Sequence, residues 1–416
     1  MLPRNSLIFR FHRQSRYSIA ALLGSIELDS RLEDWEIHTP DGISLSLVAD
    51  CIEKGRTVVA HSVMSTQLDR IRGEVADIRK TFGDRTVIIG GGAHASASPQ
   101  SLLDSEFDYI VVGEGERTLP ELLWYLANGR NPTSIDGVVG QDSETFPVPK
   151  ELDRVELDRY PPFALDMNVV GPIEVTRGCP FRCKFCSTPF LTGGVVRHRS
   201  VETIKYWLSR AVNERGFDRA WLLSPNALCY GGRGRRVERD ALERLLHECN
   251  AIDGLDELFF GSFPSEVRPD FVNRSVLEMM RENVSNKTLQ IGVQSGSDRV
   301  LRICNRHHSV QQGIDAARIA LDCGFRAHVD IIFGLPGEKQ RDLSLSLKVC
   351  EELIDMGAIL HGHVFMPLPG SAFENEEPGT LDTETRGILG EFSRKGVMTG
   401  AWCNQEQLSE ELARQQ

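Results

Sequence analysis

The chain has 416 residues, 41% hydrophobic and 25% charged side chains, and a formal net charge of −12. That length suits roughly two to three globular domains, and the acidic balance argues against a polyanion such as tRNA, whose phosphates need clustered Lys and Arg. No apolar run is long enough to span a bilayer, and the opening MLPRNSLIFRFHRQSRYS lacks a signal-peptide core and cleavage site. A cytoplasmic protein is expected, with neither a nucleic-acid nor a membrane partner.

The first part of the chain alternates short apolar runs with amphipathic stretches. Strands are predicted over 6–11, 35–38, 57–61, 86–90 and 109–112, and helices over 18–32, 43–54, 67–81 and 118–127. This alternation implies a parallel sheet with helices on both faces, and ligands of such sheets bind beyond the C-terminal strand ends. Small and polar residues follow the third and fourth strands, and Gly113-Glu114-Gly115-Glu116 follows the fifth. A Pro- and charge-rich stretch over 141–170 reads as a linker between a domain at 1–140 and the next.

A second βα series then begins. Strands are predicted over 172–176, 219–224, 257–261, 288–293, 327–333 and 361–365, with helices over 201–215, 239–250, 269–282, 310–323 and 343–356. Six βα units are too few for a closed eight-stranded barrel and suit a partial (β/α)6 barrel over 171–372. The polar tail, 373–416, is predicted helical. The overall class is α/β, a Rossmann-like doubly wound domain followed by the partial barrel.

Ten cysteines are present, and three of them fall in Arg177-Gly178-Cys179-Pro180-Phe181-Arg182-Cys183-Lys184-Phe185-Cys186. The spacing C-x3-C-x2-C sits directly after the first strand of the second series. Three thiolates leave one iron of a four-iron cluster without a protein ligand, and an open coordination position marks catalytic metal. A structural zinc would want a fourth Cys or His nearby, and none stands there. The other cysteines, among them Cys229, Cys249, Cys304, Cys323, Cys350 and Cys403, show no compact ligand spacing and read as packing residues.

This arrangement resembles the radical S-adenosylmethionine (SAM) superfamily. Gln290-Ile291-Gly292-Val293-Gln294-Ser295-Gly296-Ser297, Ile332-Phe333-Gly334-Leu335-Pro336-Gly337-Glu338 and Pro367-Leu368-Pro369-Gly370-Ser371 are similar, in order, to strand-end motifs of its Elp3/MiaB-like branch. The resemblance implies a [4Fe-4S] cluster on Cys179, Cys183 and Cys186 that chelates SAM and cleaves it to a 5′-deoxyadenosyl radical. It implies that Phe185 packs near the adenine, that Gln294 and Ser295 lie close to SAM, and that Ile332, Phe333 and Gly334 line the adenine pocket. Ser224 and Asn226 are polar candidates for SAM contact, with an ordinary loop turn as the alternative. The branch's Gly-Gly-Glu after the second strand is absent. Arg306 is a candidate for the SAM carboxylate, with a solvated helix end as the alternative.

The first domain resembles the cobalamin-binding domain that precedes many radical SAM domains. Val59-Ala60-His61-Ser62-Val63-Met64-Ser65, Ile89-Gly90-Gly91-Gly92-Ala93-His94 and Val112-Gly113-Glu114-Gly115-Glu116 carry the likeness. The implied cobalamin contacts are Ser62, Met64, Ser65, Thr66, Gln67, Gly91, Gly92, His94, Gly113, Glu114 and Gly115. The cobalt-ligating D-x-H-x-x-G is absent, so His12, His61 and His94 read as polar or half-buried side chains.

By this resemblance the expected activity is that of a cobalamin-dependent radical SAM methyltransferase acting on an unactivated carbon of a protein, peptide or small molecule. A glutamine α-carbon in methyl-coenzyme M reductase is one such target. An external electron donor is required. The alternative is a cobalamin-dependent cyclisation or rearrangement. A tRNA methylthiotransferase would need a second cysteine triad, and Cys51 is the only cysteine before Cys179.

Overall fold

A computed structural model describes residues 4–415. Residues 1–3 and 416, at the outer ends of the spans 1–140 and 373–416, lie outside the described residues. The chain divides into two compact units, Met1–Pro172 with Phe190–Thr192, and Ile173–Pro189 with Gly193–Gln416.

The first unit runs β1 (Ser6–Arg10), α1 (Arg16–Leu28), β2 (Glu36–His38), α2 (Leu45–Lys54), β3 (Thr57–Ser62), α3 (Leu68–Phe82), β4 (Thr86–Gly91), α4 (Ala93–Ala97), α5 (Pro99–Leu103), β5 (Tyr109–Val111), α6 (Gly115–Ala127) and β6 (Val138–Gly140). Its sheet has the order β2-β1-β3-β4-β5-β6. All neighbours are parallel except β5 and β6. Successive side chains point to opposite faces of a strand, so each strand feeds two cores. Leu7, Val58 and Ala60 pack with Leu23 and Leu122 on one face, while Ile8, Val59 and Ile88 pack with Val48 and Ile71 on the other.

The stretch expected to be a linker is part of this unit. Phe163, Ala164 and Leu165 are buried, the Met167 N–H donates to Glu27 at 2.6 Å, and a Cβ on Gly24 would meet the Phe163 carbonyl at 2.6 Å. Proline and charge mark its irregular backbone; its apolar residues nonetheless pack against α1.

The second unit contains β7 (Ile173–Glu174), β8 (Thr176–Arg177), α7 (Thr188–Leu191, whose last residues fall to the other unit), β9 (Arg197–His198), α8 (Val201–Arg215), β10 (Arg219–Leu223), α9 (Arg239–Asn250), β11 (Glu257–Phe259), α10 (Arg274–Asn283), β12 (Thr288–Gln294), α11 (Asp298–Ile303), α12 (Val310–Asp322), β13 (Arg326–Phe333), α13 (Gln340–Asp355), β14 (Ile359–Val364), α14 (Thr383–Arg394), β15 (Met398–Thr399) and α15 (Trp402–Gln415). The parallel order is β11-β10-β7 in one sheet and β12-β13-β14-β15 in another. Gly261 and Val267 bridge them, accepting from and donating to Gln290 at 2.9 and 2.8 Å. The result is the open, partial barrel.

Local signals fix the helix ends. Ser200 and Asn273 accept from the third backbone N–H of α8 and α10, Ser309 and Gln312 form a capping box on α12, and Gly216 ends α8 in the left-handed region. The tail is not wholly helical: β15 joins β14 at the sheet edge, and α15 places Ser409 Oγ on the Phe365 carbonyl at 2.8 Å. Among the described residues no helix is long and apolar enough to cross a membrane.

Candidate cofactor sites

The cysteine loop leaves β8 through Gly178. Its φ is +94°, and a Cβ there would lie 2.3 Å from the Val195 carbonyl oxygen, so only glycine fits. The Cys179 N–H donates to the Gly193 carbonyl, the Cys186 N–H to that of Cys183, and the Lys184 N–H to that of Cys304. Asn305 donates to the carbonyls of Phe181 and Arg182 at 3.1 and 3.0 Å. The loop is thereby held along both sides.

Two guanidinium groups face the thiols. Arg306 donates to Cys183 Sγ at 3.4 Å and to the Gly292 carbonyl at 2.6 Å. Arg268, 4% exposed, lies over the Phe181 ring at 3.5 Å and pairs with Asp270. Burial pushes the Cys179 thiol up and the Cys186 thiol to about 11, so a metal binding here must displace the thiol protons. Three thiols on one short loop, flanked by fixed cations, form a donor set that suits an anionic iron–sulfur cluster with one iron left open.

The other expected SAM residues divide into two groups. Phe185 and Ile332 come together in an apolar cluster with Leu335, Phe365 and Phe373, a surface suited to a flat base. Gln294 is buried at the end of β12 with a φ of +76°. Asn226 Oδ1 accepts from the Arg268 N–H at 3.3 Å, and its Nδ2 is buried without a partner, leaving a donor for a ligand.

Other residues are occupied within the fold. Ser224 Oγ donates to the Asn226 carbonyl and accepts from the Asn226 N–H, which is the ordinary turn. Ser295, 0% exposed, accepts from the Ser297 N–H. The Phe333 side chain points away from Ile332, as strand alternation requires, and its carbonyl accepts from Phe365. Gly334 has a φ of +72°, and a Cβ would meet Gly379 Cα at 2.8 Å. Chain packing thus requires this glycine directly. Arg306, a candidate for the SAM carboxylate by sequence, is directed at Cys183.

In the first unit, the loops after β3 and β4 lock together. The Val63 N–H donates to the Gly91 carbonyl at 2.7 Å and the His94 N–H to the Val63 carbonyl at 3.0 Å. Met64 is exposed, as is Thr66, and Gln67 donates to Gln14 while its Oε1 is buried without a partner. Space beside Gly91 is open to 3.8 Å. An exposed thioether, an orphaned amide oxygen and an uncrowded glycine at the C-terminal sheet edge fit a large ligand bearing amides.

The remaining expected cobalamin contacts serve the fold. Ser62 Oγ lies 3.2 Å from Ser18 Oγ. His94 is enclosed, with Nδ1 on Ser65 Oγ at 3.0 Å and Nε2 on Ser101 Oγ at 2.8 Å. Val63 fills the place of a side chain on Gly92, Leu152 on Gly113 and Leu22 on Gly115. Glu114 accepts from the Val155 N–H at 2.9 Å.

Sequence reasoning missed Arg268, which no motif contains. It also missed the polar set Gln290, Asp330, His361 and His363. A signal existed: polar residues at i, i+2 spacing interrupt the otherwise apolar strands β13 and β14.

The radical SAM superfamily profile matches residues 173–350 and the B12 binding domain profile residues 11–123. The chain is 26% identical over 335 residues to an uncharacterized protein of Methanopyrus kandleri, covering 69% of this chain and 62% of that one. It is 26% identical to an uncharacterized methyltransferase of Pyrococcus horikoshii, covering 82% and 74%. A tRNA-2-methylthio-N(6)-dimethylallyladenosine synthase of Anaplasma phagocytophilum is also 26% identical, covering 76% and 67%. Among solved structures, the cobalamin-dependent radical enzyme OxsB superposes with a TM-score of 0.67 at 16% identity, covering 84% of this chain and 52% of that one. The methyltransferase TsrM of Kitasatospora setae superposes with a TM-score of 0.65 at 16% identity, covering 90% and 78%. The chain thus spans less than two thirds of the length of some of its relatives. It carries a B12-binding domain followed by a radical SAM domain, and the cofactors these domains imply are a [4Fe-4S] cluster, S-adenosylmethionine and cobalamin.

Proposed function

We propose that this enzyme transfers a methyl group to an unactivated carbon of a small molecule or of a peptide residue, such as a glutamine α-carbon. The observation that supports this reading is the presence in one chain of a corrinoid domain and a loop of three cysteines, Cys179, Cys183 and Cys186. When bound, the cofactors supply methyl transfer from the corrinoid and one-electron cleavage of SAM, with an external donor providing the electron.

The chain's own residues hold and insulate these groups. Cys179, Cys183 and Cys186 ligate the cluster, and Arg306 and Arg268 offset its negative charge. Phe185 and Ile332 offer the adenine an apolar face, and Asn226 Nδ2 offers a hydrogen bond. In the first unit, Met64 and Gln67 meet the corrinoid, Met64 by filling space and excluding water, since a thioether accepts hydrogen bonds only weakly.

A tRNA methylthiotransferase role, suggested by the names of some relatives, is disfavoured. A B12 domain occupies the residues ahead of the cysteine loop, and Cys51 alone precedes that loop in this chain.

The test is anaerobic reconstitution with cobalamin, reductant and methyl-labelled SAM, followed by mass analysis of candidate peptides and metabolites. Methyl transfer requires one labelled methyl on the product, together with S-adenosylhomocysteine and 5′-deoxyadenosine. 5′-Deoxyadenosine with an unlabelled, rearranged product would replace methyl transfer with cyclisation or rearrangement.

A further inference from the structure

Strands β13 and β14 carry a second set of metal-type donors, distinct from the cysteine loop. On β13, Asp330 alternates with the buried Val329 and Ile331; on β14, His361 and His363 alternate with Leu360, Gly362 and Val364. The parallel register pairs Asp330 with His361, which brings residues some thirty positions apart onto one face. Asp330 Oδ1 lies 2.9 Å from His361 Nδ1 and 3.6 Å from His363 Nε2, and one donor atom of each residue lies within 4.8 Å of the other two.

We propose that Asp330, His361 and His363 bind a divalent transition-metal ion of the zinc or iron(II) class. Ligands about 2.0–2.2 Å from a shared tetrahedral ion sit roughly 3.3 Å apart, and the observed separations bracket that spacing. Two imidazoles and one carboxylate form a donor set for such ions, with positions left for water or substrate. The imidazoles are 27% and 28% exposed, so the open positions are accessible.

A second observation points the same way. Asp330 is 4% exposed, and its Oδ2 is buried with no partner. An unpaired carboxylate oxygen in the interior is costly and calls for a cation. Gln290 also reaches Asp330 Oδ1, at 2.5 Å, and His361 Nδ1, at 3.5 Å. Its amide oxygen and nitrogen are interchangeable by a flip, so it can present an oxygen to the ion.

The first unit supplies a contrast. His12, His61 and Glu74 also converge, but Arg10 already neutralises that carboxylate at 3.1 Å. Among the described residues the ion-pair partners of Asp330 are His361 and His363 alone.

The experiment uses the full chain reconstituted with cluster and cobalamin, incubated with zinc chloride and then desalted. Zinc, iron and cobalt are measured together. Wild type should retain about one zinc per chain, and Asp330→Asn and His361→Ala should each retain roughly tenfold less, with iron and cobalt unchanged. The zinc absorption edge of wild type should show two imidazole nitrogens, a readout that needs no variant to fold. Zinc absent from wild type, or equal in wild type and both variants, would overturn the proposal. Loss of iron or cobalt from wild type would instead count against the cofactor assignments.

Discussion

The Arg306 guanidinium donates to the sulfur of Cys183 at 3.4 Å, and the same side chain ties that sulfur to the Gly292 carbonyl of β12. A fixed positive charge beside a thiolate favours the more negative, reduced state of a cluster on that ligand. Charge-assisted hydrogen bonds are worth about 1.5–3 kcal/mol, and only the difference between oxidation states reaches the potential. Arg306→Gln should therefore lower the cluster's midpoint potential by tens of millivolts, on the scale of 59 mV per tenfold in a one-electron couple. Iron content should stay near wild type. Redox titration followed by electron paramagnetic resonance checks this; an unchanged potential would separate Arg306 from the cluster's electrostatics.

Gly178 tests the loop by geometry. Its positive φ and the 2.3 Å approach to the Val195 carbonyl leave no room for a methyl group. Gly178→Ala should lose most bound iron while far-ultraviolet circular dichroism stays native, because residues 178–187 contain no helix or strand to lose. Full iron occupancy in the variant would mean that the loop can close by another route.

Gly334 is expected to behave differently. Its Cβ would strike Gly379 Cα at 2.8 Å, in backbone with a φ of +72°. Strain of this kind costs about 1–3 kcal/mol. Gly334→Ala should lower the melting temperature, and the protein that remains folded should bind SAM with near-native affinity. A selective loss of SAM affinity at unchanged melting temperature would return this glycine to the adenine pocket.

These contrasts mark what the sequence could carry. The strand at 57–61 opens on a run of apolar and β-branched residues, Thr57 to Ala60, and reads as a buried strand; Cys179 to Cys186 announce themselves by spacing. The edge strands β6 and β15, of three and two residues, have too little periodicity to register. The roles of Gly334, Gly92 and His94 are not legible in the sequence, for a common reason. A glycine or histidine at a strand end looks alike whether a ligand or the chain itself fills the adjoining space. The pairing of Asp330 with His361 depends on strand register, which no local pattern encodes.

His94 gives the next expectation. Both ring nitrogens are engaged, by Ser65 and Ser101, so neither reaches cobalt. His94→Ala should cost about 1–3 kcal/mol by taking its partner from the Ser65 hydroxyl, Ser101 keeping its bond to the Ser98 carbonyl at 2.8 Å, while the Co(II) resonance of the cobalamin-loaded protein stays the same. No nitrogen superhyperfine splitting should be present in wild type. Splitting that vanishes in the variant would place His94 on the metal.

The last expectation concerns acid. His61 is 2% exposed, its ring nitrogens lack hydrogen-bond partners, and Phe107 packs edge-on against it at 5.8 Å. Burial, with further contributions from His12 and Arg10, pushes its pKa down to about 3. Burial and Arg10 bring His12 to about 4, against an opposing pull from Glu74. Burial also brings His94 to about 4. The folded state therefore holds these rings neutral at acidities where the unfolded chain, with its ordinary histidines, is already protonated. A depressed folded pKa contributes stability above the unfolded value that is lost as pH falls toward the folded one. The window therefore runs from about pH 6.5 down to about 4 for His12 and His94 and to about 3 for His61, and each tenfold weakening of proton binding by the fold corresponds to about 1.4 kcal/mol at its lower end. Melting temperature should fall steadily across this window on acidification. His61→Phe, which keeps an apolar ring beside Phe107, should flatten the slope by about one proton. An identical pH profile in wild type and variant would mean that His61 is already protonated in the fold, paired with Glu74 across the 4.0 Å that separates them.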